Sequence, residues 1–312
     1  MLLALGLLAV GAVVLYLGAE GAVRGAAGLA RAAGIPAFVL GALLFGTDLE
    51  GLGTAVVASA RGQTSVAAGE VFGSILFVWG AAFGVAALLA RKPIPSPGTA
   101  MVLAPALPLL AASLSVAIDS TVARWEGAVL LLLFALYVWF VVREGRAAVR
   151  RRAEEIEREA GEGPRSRGVR AALAVGGLAL LYVGSTVLVA GAERLVLQTG
   201  LLTGFVGAAI LGALVSLDEV LLEVLPVRRG TPDLATGNLF GTMAAFTSGV
   251  LGLAAVVRPL TVDGPGALAL LGAAVLYAVV GTAFLARERV GKLIGVAVLL
   301  LYGGWLFAAS TV

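Results

Sequence analysis

The sequence predicts an all-α integral membrane protein, with ten transmembrane helices arranged as two five-helix repeats of inverted topology. Three observations carry this. The 312 residues are 60% apolar and only 13% charged, with a mean hydropathy of +1.03, whereas soluble domains carry about 25% charged residues. Apolar runs of about 20 residues, long enough to cross a bilayer, recur along the chain, while fifteen of the 22 basic and 19 acidic residues crowd between Arg143 and Arg170. Blocks of the first half return in the second.

Breaking the apolar runs at Pro, Gly and charge clusters sets the spans in order. Span 1 covers 2–31; its N-terminus has no basic region and stays apolar to Ala19, past signal-peptide length, so it is expected to be retained. Span 2 covers 35–60 before Arg61-Gly62, span 3 covers 65–90 before Arg91-Lys92-Pro93, span 4 covers 98–117, and span 5 covers 124–147. The segment 148–167, AVRRRAEEIEREAGEGPRSR, is the only long polar stretch and reads as a solvated linker. Spans 6 to 10 follow at 168–197, 201–227, 232–257, 265–286 and 290–310. The organisation is therefore a first repeat 1–147, a charged linker 148–167 and a second repeat 168–312.

Lys and Arg divide unequally between the two sides. One side receives Arg31, Arg91, Lys92, the nine arginines of 143–170, Arg228, Arg229, Arg287, Arg289 and Lys292; the other receives Arg61, Arg124, Arg194 and Arg258. The first side is expected to be cytoplasmic, with both termini outside. These cations flank spans in short loops, which topology explains better than nucleic-acid binding. With five spans before the linker and five after, the halves must cross the membrane in opposite senses. LYLGAEGAVRGA (15–26) matches LYVGSTVLVAGA (181–192), and ARGQTSVAAGEVFGS (60–74) matches RRGTPDLATGNLFGT (228–242). Span 2 is two residues shorter near its start. Inverted repeats of this kind are associated with transporters that bind substrate at the repeat interface near the midplane.

With no His and no Cys, thiolate or imidazole metal sites and His- or Cys-assisted nucleophiles are excluded. Carboxylates, hydroxyls, amides and backbone remain. Asp48 and Glu50 lie in span 2, Glu70 in span 3, and Asp218, Glu219 and Glu223 in span 7. Each costs about 2.5–3.5 kcal/mol at the bilayer centre unless paired or facing water. Arg61, Arg228 and Arg229 sit at helix ends, too far along the axis to neutralise most of them, with Glu223 and Arg228 the expected exception. The missing positive charge is a cation.

Thr47-Asp48-Leu49-Glu50 and Ser216-Leu217-Asp218-Glu219 each place a hydroxyl three residues before a Glu, on one helix face. Such hard oxygens suit Ca2+, Na+ or Mg2+ better than softer metals; the plainer alternative is a capping box at a helix start. Gly69-x-x-x-Gly73 and Gly237-x-x-x-Gly241 mark close helix packing, but each first Gly is followed by a polar residue, Glu70 or Asn238, and each second by a hydroxyl, Ser74 or Thr242. These extend the candidate oxygen cage. Glu20, Arg24, Glu193 and Arg194 read as face-lining or snorkelling residues, Asp119, Asp233 and Asp263 as loop or cap residues, and the tryptophans as including interface anchors.

The chain resembles the sodium/calcium exchanger superfamily of cation antiporters over nearly its whole length. That family repeats a motif like G-T-S-L-P-E-L, then R-G, then G-N-x-x-G-S-N. The first half reads Gly46-Thr-Asp-Leu-Glu-Gly-Leu52, Arg61-Gly62 and Gly69-Glu-Val-Phe-Gly-Ser-Ile75. The second reads Leu214-Val-Ser-Leu-Asp-Glu-Val220, Arg229-Gly230 and Gly237-Asn-Leu-Phe-Gly-Thr-Met243.

The resemblance implies that Glu219 is an ion-binding carboxylate, Ser216 a hydroxyl ligand and Asn238 an amide ligand, with Glu70 as its first-half counterpart. Gly51 stands at the first-half carboxylate position, with Glu50 one residue earlier. Asp48 replaces a Ser, and Asp218 a Pro. It further implies antiport of Ca2+ against Na+, with no permanently bound cofactor. Clustered carboxylates that cannot all stay ionised without cations keep H+ open as the coupling ion. A passive cation channel, an antiporter for Mg2+, Mn2+ or Na+/H+, and a paired-aspartate hydrolase using Asp48 and Asp218 are the other classes the residues allow. Oligomeric state is not fixed by the sequence.

Overall fold

The computed structural model describes residues 1–47, 49–151, 164–199 and 216–309. Helices α1 (Leu2–Ala33), α2 (Ala37–Leu40, continuing as a π-helical turn Gly41–Phe45) and α3 (Leu49–Ala60) cover the first two predicted spans. α4 (Thr64–Leu89), α5 (Thr99–Asp119) and α6 (Arg124–Arg151) complete the first half. In the second half α7 (Pro164–Thr199), α8 (Leu217–Arg229), α9 (Pro232–Val257), α10 (Gly264–Arg287) and α11 (Lys292–Ala309) follow. Eight of these helices are long and apolar enough to cross a membrane. The stretch 201–215, predicted as the start of span 7, lies outside the described residues.

Local chemistry sets the ends. Asp263 caps α10, its carboxylate accepting from the Gly266 N–H at 2.9 Å, and Pro232 opens α9, where its missing N–H costs no hydrogen bond. α3 and α8 both stop at an Arg-Gly pair. Gly62 (φ 82°) and Gly230 (φ 80°) adopt the left-handed conformation that a side chain disfavours.

α9 is the centre of the molecule: 83% of its most apolar stretch is buried, against 11% for α11 at the periphery. The core around it holds Phe72, Trp79, Phe83, Phe240, Phe246 and Phe284, all fully buried. The Trp79 indole donates to the Leu239 carbonyl at 3.1 Å, joining α4 to α9, and Ser59 Oγ donates to the Ala254 carbonyl at 2.7 Å, joining α3 to α9. Trp79 is thus a core residue, whereas Trp125 and Trp139 are exposed as interface anchors would be. Leu2, Leu3, Val10, Val13 and Leu17 on α1 are exposed, an outer apolar face suited to lipid.

α1 and α7 pack along their lengths, backbone against backbone at their glycines. A Cβ on Gly11, Gly18 or Gly25 would fall 2.5, 2.3 or 2.3 Å from the backbone nitrogen of Leu188, Leu181 or Ala174; on Gly177 or Gly184, 2.1 or 2.3 Å from that of Ala22 or Leu15. Two short antiparallel ladders link the halves: β1 (Ile94–Pro95) with β4 (Arg289–Val290), and β2 (Thr121–Val122) with β3 (Leu260–Thr261). The first brings the loops of Arg91-Lys92 and Arg287-Arg289 together and the second those of Arg124 and Arg258, the grouping that the charge count groups on opposite sides.

Candidate functional site

The second span is broken inside its apolar run. α2 ends in the π-helical turn, Gly46 and Thr47 are non-helical, and α3 restarts at Leu49. π-turns recur at Val78–Ala82 in α4 and Ala245–Val250 in α9, a feature frequent at functional sites. Thr47 Oγ1 donates back to the Leu43 carbonyl at 2.8 Å, and Ser216, at the N-cap of α8, makes no side-chain cap bond. Neither hydroxyl therefore closes the capping box that the spacing allowed. Asp218 and Glu219 occupy the first turn of α8, where the aligned backbone dipoles favour negative charge.

The break can sit against α9 because both partners are small. A Cβ on Gly237 would fall 2.2 Å from the Phe38 carbonyl oxygen, one on Gly241 2.6 Å from that of Ala42, and one on Gly46 2.7 Å from the Gly241 backbone. The Gly-x-x-x-Gly of α9 is thus a close-packing motif. For Gly69 and Gly73 no atom among the described residues lies within 4 Å of such a Cβ.

Beside the break lies a cavity of about 800 Å3 whose polar lining is Thr47, Thr54, Tyr182, Asp218, Glu219, Asn238 and Thr242. α7 supplies an apolar wall of Val175, Leu178, Ala179 and Leu181. Five of the ten sequence-selected residues meet here: Thr47, Asp218, Glu219, Asn238 and Thr242. Ser216, Glu70 and Ser74 are not among its lining residues. Asp48 lies outside the described residues; Glu50 falls in α3, one turn before Thr54. Gly51, at the family's first-half carboxylate position, is buried in α3. Among the described residues no three carboxylates gather closely enough to hold a metal ion by themselves, so the donor set is mixed: carboxylate, hydroxyl and amide.

Two sequence expectations change. Glu223 does not pair with Arg228, which is exposed; it is fully buried and accepts a hydrogen bond from Asn238 Nδ2 at 3.0 Å. Glu20 is more than a face-lining residue. It pairs with Arg24 Nε at 2.6 Å and with Arg229, tying α1 to the end of α8. Thr54 and Tyr182 were not selected from sequence, and Glu223 was set aside there as the partner of Arg228. Thr54 could have been found one turn beyond Glu50.

The family described as Sodium/calcium exchanger protein matches residues 3–143 and 170–311, both halves without the linker. The inner membrane protein YrbG of Escherichia coli (strain K12) is 31% identical over 272 residues, covering 84% of this chain and 82% of that one. A membrane protein of Methanocaldococcus jannaschii is 25% identical over 305 residues, 97% of this chain and 96% of that one. The solved structure of the sodium-calcium exchanger NCX_Mj soaked with zero Na+ and Ca2+ superposes with a TM-score of 0.84 at 22% identity, covering 98% of this chain and 99% of that one. This is a likeness of fold. On the two matched halves, the chain belongs to the sodium/calcium exchanger protein family and is an integral membrane ion exchanger.

Proposed function

We propose that the chain is a secondary antiporter that exchanges Ca2+ for Na+ or H+ by alternating access at the cavity beside Gly46–Thr47. The observation that carries this reading is the meeting of Thr47, Asp218, Glu219, Asn238 and Thr242 around one cavity next to a broken helix. Such breaks free backbone carbonyls and helix ends to meet ions at midplane depth. The donors are all hard oxygens apart from the amide nitrogen, which matches Ca2+ and Na+ and disfavours softer metals. Asp48, Glu50, Glu70, Ser74 and Ser216 are the further oxygen ligands of the proposed cage.

The proposed architecture is two inverted five-helix repeats, 1–147 and 168–312, joined by the cytoplasmic linker 148–167, with both termini outside. α1 and α7, packed backbone to backbone, would move as one body, and α7 already walls the cavity. Their sliding against the core would expose the cavity to each side in turn.

The test is 45Ca2+ uptake into proteoliposomes loaded in turn with Na+, with an acidic interior, or with neither. Uptake only under an outward Na+ or H+ gradient names the coupling ion. Uptake indifferent to every gradient would contradict antiport and favour a channel; no uptake would exclude Ca2+ as the cargo.

A further inference from the structure

We propose that Glu223, which does not line the cavity, is a positioning residue that sets which end of the Asn238 amide faces the transported cation. The inference rests on the reading of the cavity as the ion site. Asn238 is 2% exposed, lines the cavity, and donates from Nδ2 to Glu223 Oε1 at 3.0 Å. Asn238 Nδ2 is the end held by Glu223 Oε1, and an amide has one donating end and one accepting end. Engaging Nδ2 behind the cavity therefore leaves Oδ1 as the end available to it. A cation needs oxygen there, and the opposite rotamer would present an N–H pair to a positive charge.

Glu223 suits this task and little else in view. It lies one turn beyond Glu219 on α8, is fully buried, and its Oε2 accepts no hydrogen bond among the described residues. Arg229 is engaged with Glu20. A buried carboxylate is costly, and among the described residues its one hydrogen bond goes to the one side-chain amide that lines the cavity. Partners behind a ligand fix its orientation, and removing them costs about 10–100-fold in metal affinity in known sites.

A double-mutant cycle tests this on the purified full-length protein, reading the Ca2+ concentration dependence of thermal stabilisation. Glu223→Gln gives residue 223 both a donor and an acceptor, so the Asn238 amide is no longer set; Ca2+ affinity is expected to fall about tenfold. Asn238→Asp places two carboxylates in contact and is expected to fall at least as far. In Glu223→Gln/Asn238→Asp the Gln amide donates to the new carboxylate, which keeps an oxygen toward the cavity, and affinity is expected to return. A merely structural Glu223 predicts losses that add in the double variant. Additive losses, or wild-type affinity in Glu223→Gln, would overturn the assignment while leaving the ion site standing. If Ca2+ does not stabilise the wild type, the cycle is read with Na+, Mn2+ and Mg2+; a wild type that none of them stabilises would overturn the ion site and this assignment together.

Discussion

Gly18 lies directly against the backbone of Leu181, with no room for even a methyl group: a Cβ would fall 2.3 Å from the Leu181 nitrogen. The arrangement is reciprocal, because a Cβ on Gly184 would fall the same 2.3 Å from the Leu15 nitrogen. The two L-Y-x-G blocks that made the halves recognisable as repeats thus pack on each other. Small residues at helix crossings let backbones approach, where dispersion substitutes for the hydrophobic drive that lipid removes.

Gly18→Ala and Gly184→Ala are therefore expected to force α1 and α7 apart, at about 1–3 kcal/mol each for overpacking. Thermal unfolding in detergent checks this. Gly6→Ala, with no atom within 4 Å of the added Cβ, is expected to unfold at the wild-type temperature.

The Glu20–Arg229 pair connects α1 to the end of α8, with Arg229 43% exposed. An ion pair so open to its surroundings contributes about 1 kcal/mol or less, so Arg229→Gln should leave stability nearly unchanged. It should instead shift the balance between inward- and outward-open forms, by up to about fivefold for that energy. The chain contains no cysteine, so Tyr182→Cys in the cavity wall offers a single thiol for a membrane-impermeant reagent. Labelling from each side is expected to change with Arg229→Gln and to stay close to wild type in Arg229→Lys, which keeps the charge that meets Glu20.

Trp79 is fully buried, donates to the Leu239 carbonyl at 3.1 Å, and meets Phe240 edge-on with ring centroids 5.2 Å apart. Trp79→Phe removes the hydrogen bond and keeps most of the ring contact, for an expected loss of about 1 kcal/mol. Trp79→Ala opens a cavity between α4 and α9, for about 3–5 kcal/mol. The two variants should unfold in that order below the wild type.

Much of this fold was legible in the sequence because lipid demands long apolar runs, and their interruptions by Pro, Gly and charge coincide with helix ends at Asp263, Arg229-Gly230 and Arg61-Gly62. The break at Gly46–Thr47 was not, since hydropathy is blind to backbone hydrogen bonds, and Asp48 and Glu50 read equally well as ligands on one continuous span 35–60. The site was legible in part. Residues repeated in both halves drew attention to Glu219, Asn238 and Thr242, which share the cavity, and equally to Glu70 and Ser74, which do not line it.

Glu223 shows why nearness in sequence misleads. Arg228 is the nearest opposite charge along the chain, but five helical residues turn about 140°, which aims the two side chains apart. The partner that matters, Asn238, lies on the next helix, and only the packing of α8 on α9 reveals it.

The cavity between the α2–α3 break, α8 and α9 is the proposed binding place of the transported cation. Its most direct test is gradient-driven 45Ca2+ uptake by proteoliposomes carrying wild type or Glu219→Gln, with equal amounts of folded protein confirmed by size-exclusion profile. The wild type should take up Ca2+ against an outward Na+ or H+ gradient, and Glu219→Gln should lose it by about 100-fold or more, the scale of a lost charged contact. Wild-type uptake by Glu219→Gln would contradict the assignment and place the ion path elsewhere in the bundle.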